Sequence, residues 1–173
     1  MKKFIDLVKT RESCRHYTGD LVSKKELVKI LETARLAPSA TNAQPWFFYV
    51  TNNPKKIQDI ANQTQSFNQK AGAFIVIIEE KKTIPLKVFN EFKSQDYTKT
   101  DIGIVATHIC LQATELGIAS CMLGLFHEDK IKQVINIPKS KRIRLVISLG
   151  FGVHDKPREK KRKELDEIVS FID

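Results

Sequence analysis

TDIGIVATHICLQATELG, residues 100–117, reads as a helix before any neighbouring segment is consulted. Ile102, Val105, Ala106, Ile109, Ala113 and Leu116 recur at the spacing of one helical face. Ile104, Cys110 and Leu111 are apolar too, yet they fall off that stripe. A helix apolar on most sides is buried on most sides. The chain has 173 residues, a length that suits one compact domain over 1–173 with a single core. In so small a domain, an interface between subunits is a good place to bury the surplus. Gly117 has the position of a helix C-terminal glycine.

Working outward toward the N-terminus, Ser23 and Glu26 form a capping box, with Leu27, Ile30, Leu31 and Ala34 following at helical spacing. Pro38 closes that helix, because a proline steers the residue before it away from helical angles. SATNAQ is a polar loop, and WFFYV at 46–50 is a strand by its aromatic and β-branched content. Asn53-Pro54 starts a helix through about Ala61, and AFIVII at 73–78 is a buried strand. The polar region 80–99 has weak helical signal. On the other side lie a short strand at 118–123, a helix near 128–135 and a strand at 144–151. DEIVSFID, at 166–173, alternates like a last short strand. Helices and strands mix without a strict βαβ rhythm, so the fold class is α+β.

The formal net charge is +9. Much of the excess sits in KPREKKRK, residues 156–163, so a surface built globally for polyanions is not the first explanation. No aromatic residues interleave with that run, as a platform for single-stranded nucleic acid requires. Cys14, Cys110 and Cys121 form an odd set without zinc-type spacing, which argues for a reducing compartment rather than a disulfide framework. The opening MKKFIDLVKTRE lacks the apolar run of a secretory signal, and no window approaches a membrane span. A cytoplasmic protein, binding neither nucleic acid nor membrane, is expected.

Familiar catalytic sets are missing: HExxH, GxSxG, Walker and GxGxxG patterns do not occur. His16, His108, His127 and His154 show no metal-ligand spacing, and His108 reads as a structural residue on an apolar helix. Cys121 has no neighbouring cation in sequence to activate it. Chemistry borrowed from a cofactor fits such a chain.

Three segments then gain meaning together. In Arg11-Glu12-Ser13-Cys14-Arg15, an extended backbone would point Arg11, Ser13 and Arg15 the same way. Two cations and a hydroxyl suit a phosphate and a chain of hydroxyls, although a solvated basic turn has the same composition. PSATNAQPW, 38–46, offers Ser39, Thr41, Asn42 and Gln44 on a helix-to-strand loop, either for a heteroaromatic ring edge or for a self-capping turn. In the basic run, Lys160 and Arg162 share a face if extended, while Lys161 and Lys163 face solvent.

R-x-S-x-R, PSxxNxQPW, D-x-G leading to LQATELGIAS, and a late KxR occur in this order across nearly the whole chain. In this the sequence resembles the FMN-dependent nitroreductase superfamily, at the short end of its size range. The resemblance implies a central, mostly antiparallel sheet flanked by helices, and a homodimer with FMN at the interface. It also implies a C-terminal strand exchanged with the dimer partner. Arg11 and Ser13 would hold the phosphate and ribityl chain, within a contact segment that includes Glu12 and Cys14. Arg15 would sit near the N1–C2 edge of the ring. Pro38, Ser39, Ala40 and Asn42 would come from the facing subunit, Leu123 and Gly124 would offer backbone groups, and Lys160 and Arg162 would close on the phosphate.

The implied activity is transfer of hydride from NAD(P)H through flavin N5 to a small-molecule electron acceptor, a nitroaromatic or a quinone, with no catalytic side chain and no metal. Arg15 would tune the flavin electrostatically. Enone reduction, dehalogenation and supply of reduced flavin are the alternatives, with a basic nucleic-acid binder more remote. Three positions depart from the family pattern. Glu12 stands where a second arginine is common, and Gly72 replaces a proline. TQSFNQK has no clear equivalent of the ring-contacting polar residue, for which Gln65 and Lys70 are candidates.

Overall fold

A computed structural model of the chain describes residues 3–80, 97–154 and 157–172. The expected polar stretch 80–99 therefore lies largely outside the described residues. The elements are α1 (Phe4–Thr10), α2 (Lys24–Ala34), β1 (Trp46–Thr51), α3 (Pro54–Ala61), β2 (Ala73–Glu79), α4 (Tyr97–Glu115), β3 (Ala119–Leu123), α5 (Glu128–Val134) and β4 (Arg142–Gly150). The four strands form an antiparallel sheet in the order β1-β2-β4-β3.

Strand β2 is buried along its whole length because both faces of the sheet are covered. Ala73, Ile75 and Ile77 pack in a cluster with α2 and α4. Phe74, Val76 and Ile78 pack on the opposite face with residues of α3 and α5. Period-two alternation thus feeds two cores at once, and the strand reads as one continuous apolar run.

Helix α4 begins at Tyr97, earlier than the apolar stripe. Ile102, Val105, Ala106, Ile109, Cys110 and Ala113 are buried against α2 and the sheet. The off-stripe Ile104 and Leu111 are half-buried, and Gly103 and Thr107 are exposed. His108 Nδ1 meets the Ile104 carbonyl at 2.9 Å, a structural contact within the helix. The helix ends in a Schellman motif: Ile118 N–H donates to Ala113 O (2.8 Å) and Gly117 N–H to Thr114 O (3.1 Å). Gly117 supplies the required positive φ of 75°.

Helix α2 has the expected capping box, with Glu26 N–H donating to Ser23 Oγ (3.2 Å) and Ser23 N–H to Glu26 Oε2 (2.8 Å). It stops at Ala34, short of Pro38, and turn bonds carry the chain through Ala37. Asn53 caps α3 through Lys56 N–H at 3.1 Å.

Two elements differ from the expected set. Helix α1 was not anticipated; it buries no side chain, and Phe4 and Ile5 stay 71% and 54% exposed. The alternation in DEIVSFID does not make a strand within this chain. Leu165–Glu167 is one 3-10 turn, and 168–172 joins no ladder among the described residues. Alternation sets which side chains share a face, but a strand also needs a neighbour for its backbone groups.

Candidate cofactor site

The segment after α1 runs extended along the sheet's far edge. Ser13 bridges Ser120 of β3 in parallel, and Cys14 N–H donates to Ser120 O at 2.9 Å. Further on, Thr18 N–H donates to Phe151 O (2.9 Å) and Val153 N–H to His16 O (3.0 Å). Beneath this segment Tyr17 is buried, its hydroxyl 2.9 Å from Ser148 Oγ, which in turn donates to Asn68 Oδ1 at 3.0 Å. Asn68 spends its amide on Thr64 Oγ1 and Gln65 O. A buried, fully connected network therefore fixes the height of residues 13–17 above the strands. Burial pushes the Tyr17 phenol far above its ordinary value, so it serves as a neutral strut.

The C-terminal basic run folds back onto this segment. Arg158 Nε and backbone N–H both donate to Glu12 Oε2, at 2.9 and 3.1 Å, and Arg158 Nη2 donates to Ser13 O at 2.7 Å. Lys160 Nζ donates to Arg11 O at 2.8 Å. Desolvation first, and then the Arg11 charge, holds the Lys160 ammonium below its ordinary pKa, with Arg162 and Arg158 adding to the effect and Glu12 opposing it. Among the described residues, no ion pair joins Arg11, Arg15, Lys160 or Arg162 to a carboxylate. These four cations, drawn from both ends of the chain, lack a carboxylate ion pair among the described residues, a composition suited to a phosphate monoester.

A cavity of about 490 Å³ is lined by Glu12, Ser13, Cys14 and Arg15 with Gly152 and Arg158; of the four cations only Arg15 lines it. Arg15 lies over the Phe67 ring, 5.7 Å from its centroid, which holds an exposed guanidinium in place without neutralising it. Cys121 lies close to Arg15 in space, though not in sequence. Burial pushes the thiol up, outweighing the opposing Arg15 charge; the Cys14 thiol is likewise raised, first by burial. Neither is set up as a nucleophile. Ser120 Oγ is buried under the segment beside the Cys110 thiol and, among the described residues, meets no nitrogen or oxygen partner.

The remaining expected site residues lie elsewhere. Leu123 ends β3 with its side chain in the core, so only its backbone is available, and Gly124 follows it exposed. They sit three and four residues beyond Ser120, about 10–13 Å along the strand direction. Pro38, Ser39, Ala40 and Asn42 do not line the cavity. Their loop carries Thr41, Asn42 and Gln44 at φ 52°, 55° and 48°, backbone angles that L-residues adopt only under constraint. The constraint is visible: Ala40 N–H donates to the buried Asp101 carboxylate (3.1 Å), Gln44 N–H to Ser39 Oγ (2.9 Å), and Gln44 Nε2 to Asn42 Oδ1 (3.0 Å).

Sequence reasoning missed Arg158, Phe67 and the task of Asp101. Arg158 has the same parity as Lys160 and Arg162, a signal that was present. Phe67 lies in the stretch searched for polar residues, where Asn68 proves to be the buried one. Glu12, expected in the contact segment and as the position of a missing cation, is the acceptor that gathers Arg158. Gly72 also has a local reason: its N–H donates to Leu149 O at 2.7 Å, and a Cβ there would lie 2.2 Å from Asp20 O. Proline at 72 is excluded in this chain on both counts.

Comparison with known proteins agrees with this architecture. The nitroreductase family pattern matches residues 8–92 and 64–151. The chain belongs to the nitroreductase family. As a member it is an oxidoreductase. A nitroreductase family protein from Clostridium difficile 630 superposes with a TM-score of 0.83 at 30% identity, covering 98% of each chain. An FMN-dependent nitroreductase from Clostridium difficile R20291 gives 0.79 at 27% identity, over 98% of this chain and 99% of that one. An oxygen-insensitive NADPH nitroreductase from Helicobacter acinonychis is 28% identical over 210 residues, covering 96% of this chain and 95% of its own. The family match takes in the four strands and α4 and stops at residue 151, before Lys160 and Arg162. Among the described residues, no helix is long and apolar enough to cross a membrane.

Proposed function

We propose that this chain is an FMN-dependent oxidoreductase that takes hydride from NAD(P)H and delivers electrons to nitroaromatic, quinone or related small acceptors. The observation that supports the reading is the meeting of Lys160 with Arg11 and Arg162, with no carboxylate ion pair to any of the three among the described residues, next to a segment whose Arg15 lines the cavity. The group fits: a phosphate dianion supplies the missing counter-charge, and Ser13 adds a hydroxyl donor. When bound, FMN supplies a hydride acceptor and donor at N5.

The chain's own residues bind and orient it. Arg11, Ser13, Lys160 and Arg162 hold the phosphate end. Arg15 contributes the positive charge that favours the reduced, anionic ring. Leu123 and Gly124 offer backbone groups, and Pro38, Ser39, Ala40 and Asn42 serve the site of a second copy.

The reading includes a homodimer. Phe4, Ile5, Leu165, Ile168, Phe171 and Ile172 are exposed apolar side chains on α1 and the tail, a surface that monomers seldom leave to water. β1 is an edge strand with Phe47 exposed, and a tail strand from a partner would complete such a sheet. Purified protein is expected to be yellow, to run as a dimer, and to release about one FMN per chain on denaturation, one-site stoichiometry. Steady-state oxidation of NADH and NADPH against nitroaromatic, quinone, enone, haloaromatic and free-flavin acceptors then identifies the acceptor class. Arg15→Ala should retain FMN while slowing its reduction. A folded, colourless monomer that ignores added FMN would overturn the proposal.

A further inference from the structure

Glu12 lies between Arg11 and Ser13, and a carboxylate beside a phosphate site would ordinarily weaken it. The geometry points to a different role. We propose that Glu12 is a positioning residue: with Arg158 it latches the C-terminal basic arm onto the N-terminal segment, so that Lys160 stands at Arg11 before any phosphate arrives. This inference rests on the FMN reading of the same site.

The carboxylate is engaged by the arm and not aimed at a ligand. Its Oε2 accepts two bonds from Arg158, one from the guanidinium and one from the backbone, and the same guanidinium holds Ser13 O. The next residue of the same parity, Lys160, then reaches Arg11 O. The arm needs such bonds because it has no ladder: residues 157–164 form no helix or strand, and among the described residues no backbone hydrogen bond ties them to the sheet. Glu12 is held below its ordinary carboxylate range; burial works against this, but the Arg158 side-chain and backbone bonds outweigh it. The charge is therefore present wherever the enzyme is folded near neutrality. Ser13 and Arg15 line the cavity next to Glu12, whose carboxylate secures the arm. The carboxylate thus recruits an arginine that sets the arm so that Lys160 reaches Arg11.

The pair is partly exposed, with side chains 60% and 27% accessible, so it adds little to global stability. Its effect is local, and that separates it from a merely structural role. The test titrates full-length apoprotein with FMN and with riboflavin, which lacks the phosphate, reading flavin fluorescence. Glu12→Gln should weaken FMN about tenfold, the loss of one charge-assisted bond's ordering, with riboflavin changed less than about twofold. The double variant Glu12→Arg with Arg158→Glu remakes the ion pair but not the bonds to the 158 backbone N–H and to Ser13 O, so it should restore only part of the FMN affinity. Hydrogen exchange at 157–163 in the apoprotein should quicken in Glu12→Gln and recover in part in the double variant. FMN affinity that is unchanged or tighter in Glu12→Gln, or equal losses of FMN and riboflavin, overturns the latch. If the unaltered chain binds no FMN, the flavin reading fails, and the exchange at 157–163 alone decides the latch.

Discussion

Removing the Asp101 carboxylate should release the 39–44 loop, and the size of the effect follows from its bonds. Thr41, Asn42 and Gln44 all have φ near +50°, at a cost of about 1 kcal/mol each, or about 3 kcal/mol together. Two neutral bonds, Gln44 N–H to Ser39 Oγ and Gln44 Nε2 to Asn42 Oδ1, contribute about 1 kcal/mol apiece. The charged bond from Ala40 N–H to Asp101 Oδ1 contributes about 1.5–3 kcal/mol. With it the loop conformation is favoured; without it strain exceeds support. Asp101→Ala is therefore expected to lower stability by about 2 kcal/mol, a fall in Tm of about 4–8 °C for a domain of this size. Asp101→Asn keeps an acceptor but loses the charge, so it should cost about half as much. The assay is thermal unfolding by circular dichroism, joined to amide hydrogen exchange at Ala40, whose protection should fall about thirtyfold in Asp101→Ala. If Ala40 exchange is unchanged in that variant, the carboxylate does not hold the loop and the reasoning fails, whatever happens to Tm.

Gly72→Ala should cost about 3 kcal/mol, the upper end for overpacking, because the added Cβ would meet a backbone oxygen at 2.2 Å; a melting curve matching the unaltered chain would contradict that close approach. Ser148→Ala strands Asn68 Oδ1 and removes the nearer partner of Tyr17, so it should cost about 2 kcal/mol, against about 1 kcal/mol for Tyr17→Phe, and urea unfolding should preserve that order. Glu128 accepts from Lys132 and Ile143 N–H, both at 2.9 Å, and pairs with Arg142 at 3.1 Å. Burial raises its pKa, but those partners outweigh burial and hold it below 4.5. The folded state thus binds fewer protons than the unfolded state, and the stabilisation, complete above about pH 5, fades as pH falls through the lower folded value. Unfolding free energy measured between about pH 3 and 6 should decline less steeply in Glu128→Gln; equal slopes would deny Glu128 this role.

Local chemistry made much of the fold legible. Ser23 with Glu26, Asn53 before Pro54, and Gly117 after Glu115 mark helix ends because each satisfies backbone groups within a few residues of itself. Helix α1 left no such mark: Lys3 makes no side-chain cap and no residue of the helix is buried. The tail is the opposite case, a periodic pattern whose expected neighbour strand belongs to a second copy, so this chain alone gives it no ladder among the described residues.

The candidate site divides the same way. Arg11, Ser13, Arg15, Lys160 and Arg162 could be chosen from parity and charge, since an extended chain sends alternate side chains to one side. What sequence determined by itself was therefore the α+β class, the buried β2 strand and which cations to propose for the site. Tertiary structure alone decided which of those charges meet: Arg158 on Glu12, Lys160 on Arg11, Asp101 under Ala40. Those contacts join positions 61 to 149 residues apart. Helical and strand periods act over a few residues, whereas long-range pairings depend on how the sheet and α4 bring distant segments together.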